Sequence, residues 1–221
     1  MTIYQKILRT ILYIDGFNLY YGLRSKGWRK YYWLNLRCLS QKILKLDQRL
    51  IVTKYFTARV SAGNKTTSNN VREKMESKRR RQAIYLDALG GLNNFMIFEG
   101  HFLAKTITCK TCGYSWLTHE EKMTDVNIAT ELIMDAHNDN FDVAMIISGD
   151  SDLVPPILAV QNTYPEKRIV VAFLPSRSSE RLKQTANAFF TIGEANIRQS
   201  QFPEEIRRAE GIILKRPEKW R

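Results

Sequence analysis

The sequence predicts an α/β fold: a mostly parallel central sheet with helices on both faces and a small inserted hairpin that carries two cysteines. Three observations predict it. Apolar runs at residues 11–14, 143–147 and 169–174 are nearly continuous, as in strands covered on both faces. Segments with helical spacing alternate with such runs, which implies βαβ crossovers and parallel pairing. Asp15 and the pair Asp150/Asp152 stand directly after two of the runs, where open α/β sheets place their ligand groups.

In chain order, strands are predicted at 11–14, 51–57, 94–98, 102–108, 143–147, 169–174 and 189–192. Helices are predicted at 36–45, 71–89, 125–136, 154–161 and 180–188. Thr124 reads as the N-cap of the 125–136 helix and puts Asp125 in the first turn, where a carboxylate suits the helix dipole. Val126, Ala129, Ile133 and Ala136 form the apolar stripe of that helix, widened by Ile128 and Leu132. Residues 61–70 read as a polar loop, 101–121 as the inserted hairpin, and 215–221 as a short charged tail expected to fray. The expected organisation is one domain over 1–200, with the insertion at about 101–121, followed by a basic tail over 201–221.

With 221 residues and 44% hydrophobic content the chain is large enough to bury a core. Lys and Arg total 34 against 22 Asp and Glu, a formal charge of +12 that favours polyanionic partners. No apolar run approaches the roughly 18 residues of a membrane span, and the N-terminus lacks an apolar h-region with a small-residue cleavage site. Three unevenly placed cysteines make no disulfide framework. A cytoplasmic protein without a membrane partner is expected.

Asp15, Asp125, Asp150 and Asp152 carry the chemistry. Taken singly, Asp-Gly after a strand is an ordinary turn and Asp at a helix start an ordinary dipole partner. Together, with Asn18 and Ser148 as further oxygen donors, they make an acidic pocket on a basic protein. Crowded carboxylates repel, and a hard cation such as Mg2+ or Mn2+ relieves the repulsion. Such a pocket suits phosphodiester chemistry on a nucleic acid. There is no G-x-x-x-x-G-K-[ST] loop, no G-x-G-x-x-G after a strand and no G-x-S-x-G elbow, and only three histidines are present. An aspartyl phosphatase would want a second acid two residues from Asp15, where Tyr13 and Phe17 stand. Metal-dependent hydrolysis remains.

These residues also carry a family resemblance. Ile14-Asp15-Gly16-Phe17-Asn18, Glu121-Lys122-Met123-Thr124-Asp125-Val126 and Ser148-Gly149-Asp150-Ser151-Asp152-Leu153 resemble the three signature blocks of NYN-domain proteins, in particular the bacterial LabA-like branch of the PIN-like nucleases. The resemblance spans residues 11–192. It implies a PIN-like Rossmannoid sheet and a Mg2+- or Mn2+-dependent ribonuclease, with endonucleolytic cleavage the expectation. By position, Asp15, Asp125 and Asp150 would be metal ligands, Asp152 would complete the pocket, and Asn18 would orient a ligand or substrate phosphate.

Two departures leave the number of metals open. Many PIN-like members have a further acid late in the chain, where this one has Ser176, Arg177 and Ser178, and Asn187 stands where relatives often have Asp. Because some members bind RNA without cutting it, a non-catalytic RNA- or nucleotide-binding regulator is the alternative. A nucleotide-sugar transferase using Asp150-Ser151-Asp152 as its D-x-D would leave Asp15 and Asp125 without a role.

Secondary features have two readings each. Cys109-Lys110-Thr111-Cys112-Gly113 has the spacing of half a zinc ribbon, with His101 and His119 as completing Zn2+ ligands, or is a reduced pair in a turn. Arg79, Arg80 and Arg81 spread around one turn of a predicted helix and either guide RNA or face solvent. Lys122 and Ser148, beside the acids, are further candidate RNA contacts. Arg177 either clamps a phosphate or ends in solvent. The run from Trp28 to Trp33 interleaves aromatics with cations and either stacks unpaired bases or begins a core segment. The expected partner is single-stranded RNA or structured RNA loops, and a homodimer is left open.

Overall fold

A computed structural model of the chain describes residues 6–60, 69–208 and 211–221. Seven strands form one sheet: β1 (Leu8–Asp15), β2 (Gln48–Ala58), β3 (Phe95–Thr108), β4 (Ser115–Lys122), β5 (Val143–Ile147), β6 (Arg168–Phe173) and β7 (Ala188–Thr191). Their order is β4-β3-β2-β1-β5-β6-β7. All neighbours run parallel except β3 and β4, an antiparallel ribbon. The central strand β1 has β2 on one side and β5 on the other, so the strand order reverses there. That reversal opens a crevice beyond the carboxyl ends of β1 and β5.

Helices cover both faces. On one lie α1 (Gly16–Ser25), α2 (Leu36–Lys42), α3 (Asn69–Gly90) and, late in the chain, α7 (Glu194–Arg198); on the other lie α4 (Thr124–His137), α5 (Val154–Thr163) and α6 (Glu180–Thr185). Strand side chains alternate between faces. Leu12 and Ile14 of β1 therefore join the first core, and Ile11 and Tyr13 the second. Asp15 ends the strand on the second face and is buried.

The structure departs from the sequence expectations in instructive places. No helix is expected at 16–25, because Gly16, Gly22 and two adjacent tyrosines blur the spacing; Asp15 caps α1, and Leu19 and Leu23 bury its inner face. The two strands expected at 94–98 and 102–108 are one long β3. The helix expected to reach 188 ends at Thr185, and β7 begins at Ala188. Most of the polar loop expected at 61–70 lies outside the described residues.

The buried face of α4 also differs. Ile128, Leu132, Asp135 and Ala136 are buried, whereas Val126 is 65% exposed and Ile133 is exposed. The helix turns to bring Asp135 inside, where it accepts hydrogen bonds from Lys54 Nζ (2.6 Å), the Tyr13 hydroxyl (2.5 Å) and Asn140 Nδ2 (2.9 Å). Lys54 also reaches Glu131 at 2.6 Å. A buried charge is tolerated when it is paired in this way.

The tail expected to fray at 215–221 is ordered, ending in a 3-10 turn at Glu218–Trp220, and the described residues before it are structured too. The segment after 201 forms β8 (Glu205–Arg207) and β9 (Ile213–Lys215), and Trp220 packs against Tyr32, Trp33 and Tyr85 at 5.9, 6.3 and 5.9 Å between ring centres. No helix among the described residues is long and apolar enough to cross a membrane.

Candidate active site at the switch point

Asp15 is the hub. As the N-cap of α1 it accepts the backbone N–H groups of Phe17 and Asn18 on Oδ1, both at 3.0 Å. Its Oδ2 accepts Asn18 Nδ2 (2.5 Å) and the Ser148 hydroxyl (2.8 Å). A carboxylate offers about four acceptor positions, so Asp15 is fully engaged. These bonds tie the end of β1 to the loop after β5.

That loop is held from both directions. Gly149 N–H donates to Asn18 Oδ1 (3.2 Å), and Asp150 N–H donates to Ser148 Oγ (3.0 Å). Asp150 caps the following 3-10 turn by accepting Asp152 N–H on Oδ1 (3.0 Å). Position 149 must be glycine because a Cβ there would lie 2.9 Å from the Arg177 carbonyl oxygen. Asp152 is exposed at the mouth.

Asp125 arrives from the other side of the crevice. Thr124 is the first residue of α4 rather than its cap; Met123 precedes it in the left-handed region at φ 83°. Glu121 supplies the cap chemistry: its Oε1 accepts Thr124 N–H at 3.0 Å and the Thr124 hydroxyl. The turn fits because Gly100 leaves room; a Cβ there would stand 2.4 Å from the Lys122 carbonyl oxygen. Sequence reasoning passed over Glu121, although it opens the second signature block.

The acids act on one another. The Asp125 carboxyl is pushed up from 3.8 to about 7, first by burial and then by the charges of Asp15, Asp150, Glu121 and Asp152. Burial also raises Asp15, against the opposing hydrogen bonds from Asn18 and Ser148. Among the described residues, none of Asp15, Asp125, Asp150 and Asp152 has a Lys or Arg within 4.0 Å.

The donor set is all oxygen, which fits a hard divalent cation. Among the described residues no three acidic, His or Cys side chains already converge on one point. Mg2+ commonly takes only one or two carboxylates and completes its shell with water and substrate phosphate, so such a site need not bring three together. Asp125 and Asp150, both partly buried, are more open than the buried Asp15. Asp15 reaches a cation only by giving up a bond to Asn18 or Ser148.

The other predicted residues are scattered. Arg79 and Arg80 are paired to Glu76 (2.8 and 3.2 Å), while Arg81 donates to Ser77 Oγ (2.5 Å). Lys122 pairs with Glu120 at 2.9 Å. Arg177 lies beside the Asp150 loop, its guanidinium 5.4 Å from the centre of the Tyr21 ring. Asn187 is not at the site: its Oδ1 accepts Ile169 N–H (2.6 Å) at the amino end of β6.

Cys109 and Cys112 occupy the ribbon tip, where Cys109 N–H donates to the Tyr114 carbonyl and Gly113 N–H to the Cys109 carbonyl. The structure does not bring His101 to them. His101 pairs with Lys122 at the ribbon's base, seven residues before Thr108, roughly 20 Å away at about 3.3 Å per residue. The His119 side chain lies outside the described residues; its backbone pairs with Ala104.

The four acids fall inside the segment, residues 9–193, that matches the NYN domain. The chain is also similar to 6-hydroxy-3-succinoylpyridine 3-monooxygenase HspA of Pseudomonas putida, 28% identical over 96% of this chain and 75% of that protein. A solved structure, VPA0982 of unknown function from Vibrio parahaemolyticus, resembles it with a TM-score of 0.51 and 18% identity over 88% of this chain and 98% of that one. At that identity the likeness is one of fold. With the family match spanning most of the sequence, the chain belongs to the NYN domain family, which is PIN-like and generally nuclease-like.

Proposed function

We propose that this chain is a Mg2+- or Mn2+-dependent ribonuclease that hydrolyses phosphodiester bonds at the Asp15–Asp125–Asp150 crevice. The observation that carries the reading is a gathering of carboxylates at the switch point, with no Lys or Arg within 4.0 Å of them among the described residues and one of them pushed up to about 7. A divalent cation bound there would polarise the phosphodiester and lower the pKa of a bound water. Asp125 and Asp150 would hold it. Asp15 fixes Asn18 and Ser148 and adds charge from beneath. Asp152, exposed at the mouth, would accept a proton from an incoming water. Asn18 is clamped at both ends of its amide, by Asp15 and Gly149, so it presents a fixed edge to a phosphate.

The test is direct. Incubation of single-stranded RNA with the full chain and Mn2+ should give products that EDTA abolishes and that Asp150→Asn protein, melting near wild type, does not make. RNA binding without metal-dependent products would favour the non-catalytic RNA- or nucleotide-binding alternative.

The similarity to HspA favours a second reading, oxygenation of a pyridine ring. Consumption of dioxygen by the chain, dependent on both a two-electron reductant and 6-hydroxy-3-succinoylpyridine, would support it. Metal-dependent RNA products without such consumption would decide for the nuclease.

A further inference from the structure

We propose that the outer face of α1 is a base-stacking platform for single-stranded RNA, with Tyr20 and Tyr21 as the stacking rings and Arg177, Arg29 and Arg81 as phosphate partners. This deepens the ribonuclease reading and rests on it for the place of the cut.

The run from Trp28 to Trp33 divides once its burial is known. Tyr31 and Trp33 are core residues, and Trp28 and Tyr32 are half-buried. The rings left at the surface are Tyr20 and Tyr21, 41% and 43% exposed. They are not loose. Tyr20 packs edge-on against Tyr21 at 5.3 Å and leans on Tyr32 at 5.3 Å. A fixed cluster of exposed rings is a surface that needs a partner more than a scattered aromatic does.

Its electrostatic setting selects the partner. No Asp or Glu stands between Asp15 and Asp47, while seven Lys or Arg do. Of these, Arg24, Arg29 and Lys30 are exposed, and Arg24 and Arg29 are close enough to act on Tyr32, on which Tyr20 leans. Arg81, unlike Arg79 and Arg80, has no acidic partner among the described residues and is close enough to feel both Tyr20 and Arg29. Arg177 covers one side of the Tyr21 ring at 5.4 Å, a cation–π contact that also fixes its guanidinium.

Location ties the platform to the acids. Tyr20 and Tyr21 lie on the helix that Asp15 caps, two and three residues beyond Asn18. The Arg177 backbone abuts Gly149, next to Asp150. A strand lying across Tyr21 and Arg177 therefore runs towards the acidic crevice. Only unpaired bases present a free face to such rings, since duplex bases already stack on one another.

The experiment uses the full chain in EDTA, so that no cut is required. The probe is a short single-stranded RNA containing 2-aminopurine, alone or annealed to its complement. The single strand should bind at least about tenfold tighter than the duplex, with its fluorescence quenched by stacking. Tyr21→Ala and Tyr20→Ala should each weaken binding about tenfold. Tyr21→Phe, which keeps the ring, should bind and quench as wild type, and all three should melt normally.

Equal affinity for duplex, wild-type binding by both alanine variants, or displacement of the RNA by a millimolar pyridine carboxylate would overturn the platform. RNA held and quenched in this way but never cut with Mn2+ would sink the nuclease reading and support the platform. Cutting indifferent to Tyr20 and Tyr21 would do the reverse.

Discussion

Two groups of acids sit at opposite ends of the same sheet and are treated in opposite ways. At the amino edge Asp139 and Asp142 are paired with the protein's own cations. Arg9 reaches Asp139 at 2.9 Å and Asp142 at 3.2 Å, Lys6 reaches Asp142 at 3.2 Å, and Lys167 bonds Asp139. The Arg9 guanidinium, with further hydrogen bonds, holds Asp142 well below the usual carboxylate range; Lys167 and then Arg9 lower Asp139. At the carboxyl edge burial, and then the charges of its acidic neighbours, push Asp125 up to about 7. The first group is finished by folding. The second keeps its charges unpaired among the described residues, which is what the proposed cation would answer.

The sharpest way to break this contrast is to neutralise one acid at a time. Asp150→Asn should lower cleavage of RNA by about a thousandfold or more, roughly 4 kcal/mol of transition-state stabilisation, and leave the melting temperature near wild type. Lys54→Met strips the cation from buried Asp135 and should cost about 3–5 kcal/mol in denaturant unfolding, because an unpaired buried charge remains. Asp142→Asn at the amino edge should reverse the pattern of Asp150→Asn: stability falls by about 2 kcal/mol while the cleavage rate of the folded protein is unchanged. Equal effects of Asp142→Asn and Asp150→Asn on cleavage would erase the distinction between the edges.

The smallest effect is a pH dependence of opposite sign at the two edges. Asp125 has a folded value above its unfolded one, so its contribution to stability is full below about 4 and is lost as pH rises through about 7. Asp139 and Asp142 are lowered, so theirs is present above about 4 and lost on acidification. Without divalent metal, Asp125→Asn should therefore be more stable than wild type at pH 8, by about 1–2 kcal/mol after solvent screening, and not at pH 4. Thermal melts in EDTA at the two pH values check this.

Much of this layout is legible in the sequence, and the gaps have physical causes. The runs that became β1, β5 and β6 are visible because burial on both faces makes them nearly continuous in apolar residues. Asp15, Asp125 and Asp150 stand out because each sits where an element starts or ends. The rotation of α4 is hidden, since hydropathy favours Val126 and Ile133 as inner residues and only the fold supplies Lys54 and Tyr13 to receive Asp135. The role of Glu121 is hidden for a similar reason: its link to Thr124 depends on the left-handed turn at Met123. Trp220 lies in a charged tail that reads as solvated until the ring of Trp33 is placed beside it.

Calorimetric titration of Mn2+ into the full chain asks whether the carboxyl-edge acids form a divalent-cation site. Binding should be saturable, strengthen from pH 6 to pH 8 with proton release, be lost in Asp125→Asn and Asp150→Asn, and persist in Asp142→Asn. Wild-type protein that takes up no Mn2+ at millimolar concentration, or Asp125→Asn and Asp150→Asn proteins that bind it as wild type does, would show that these acids are not its site.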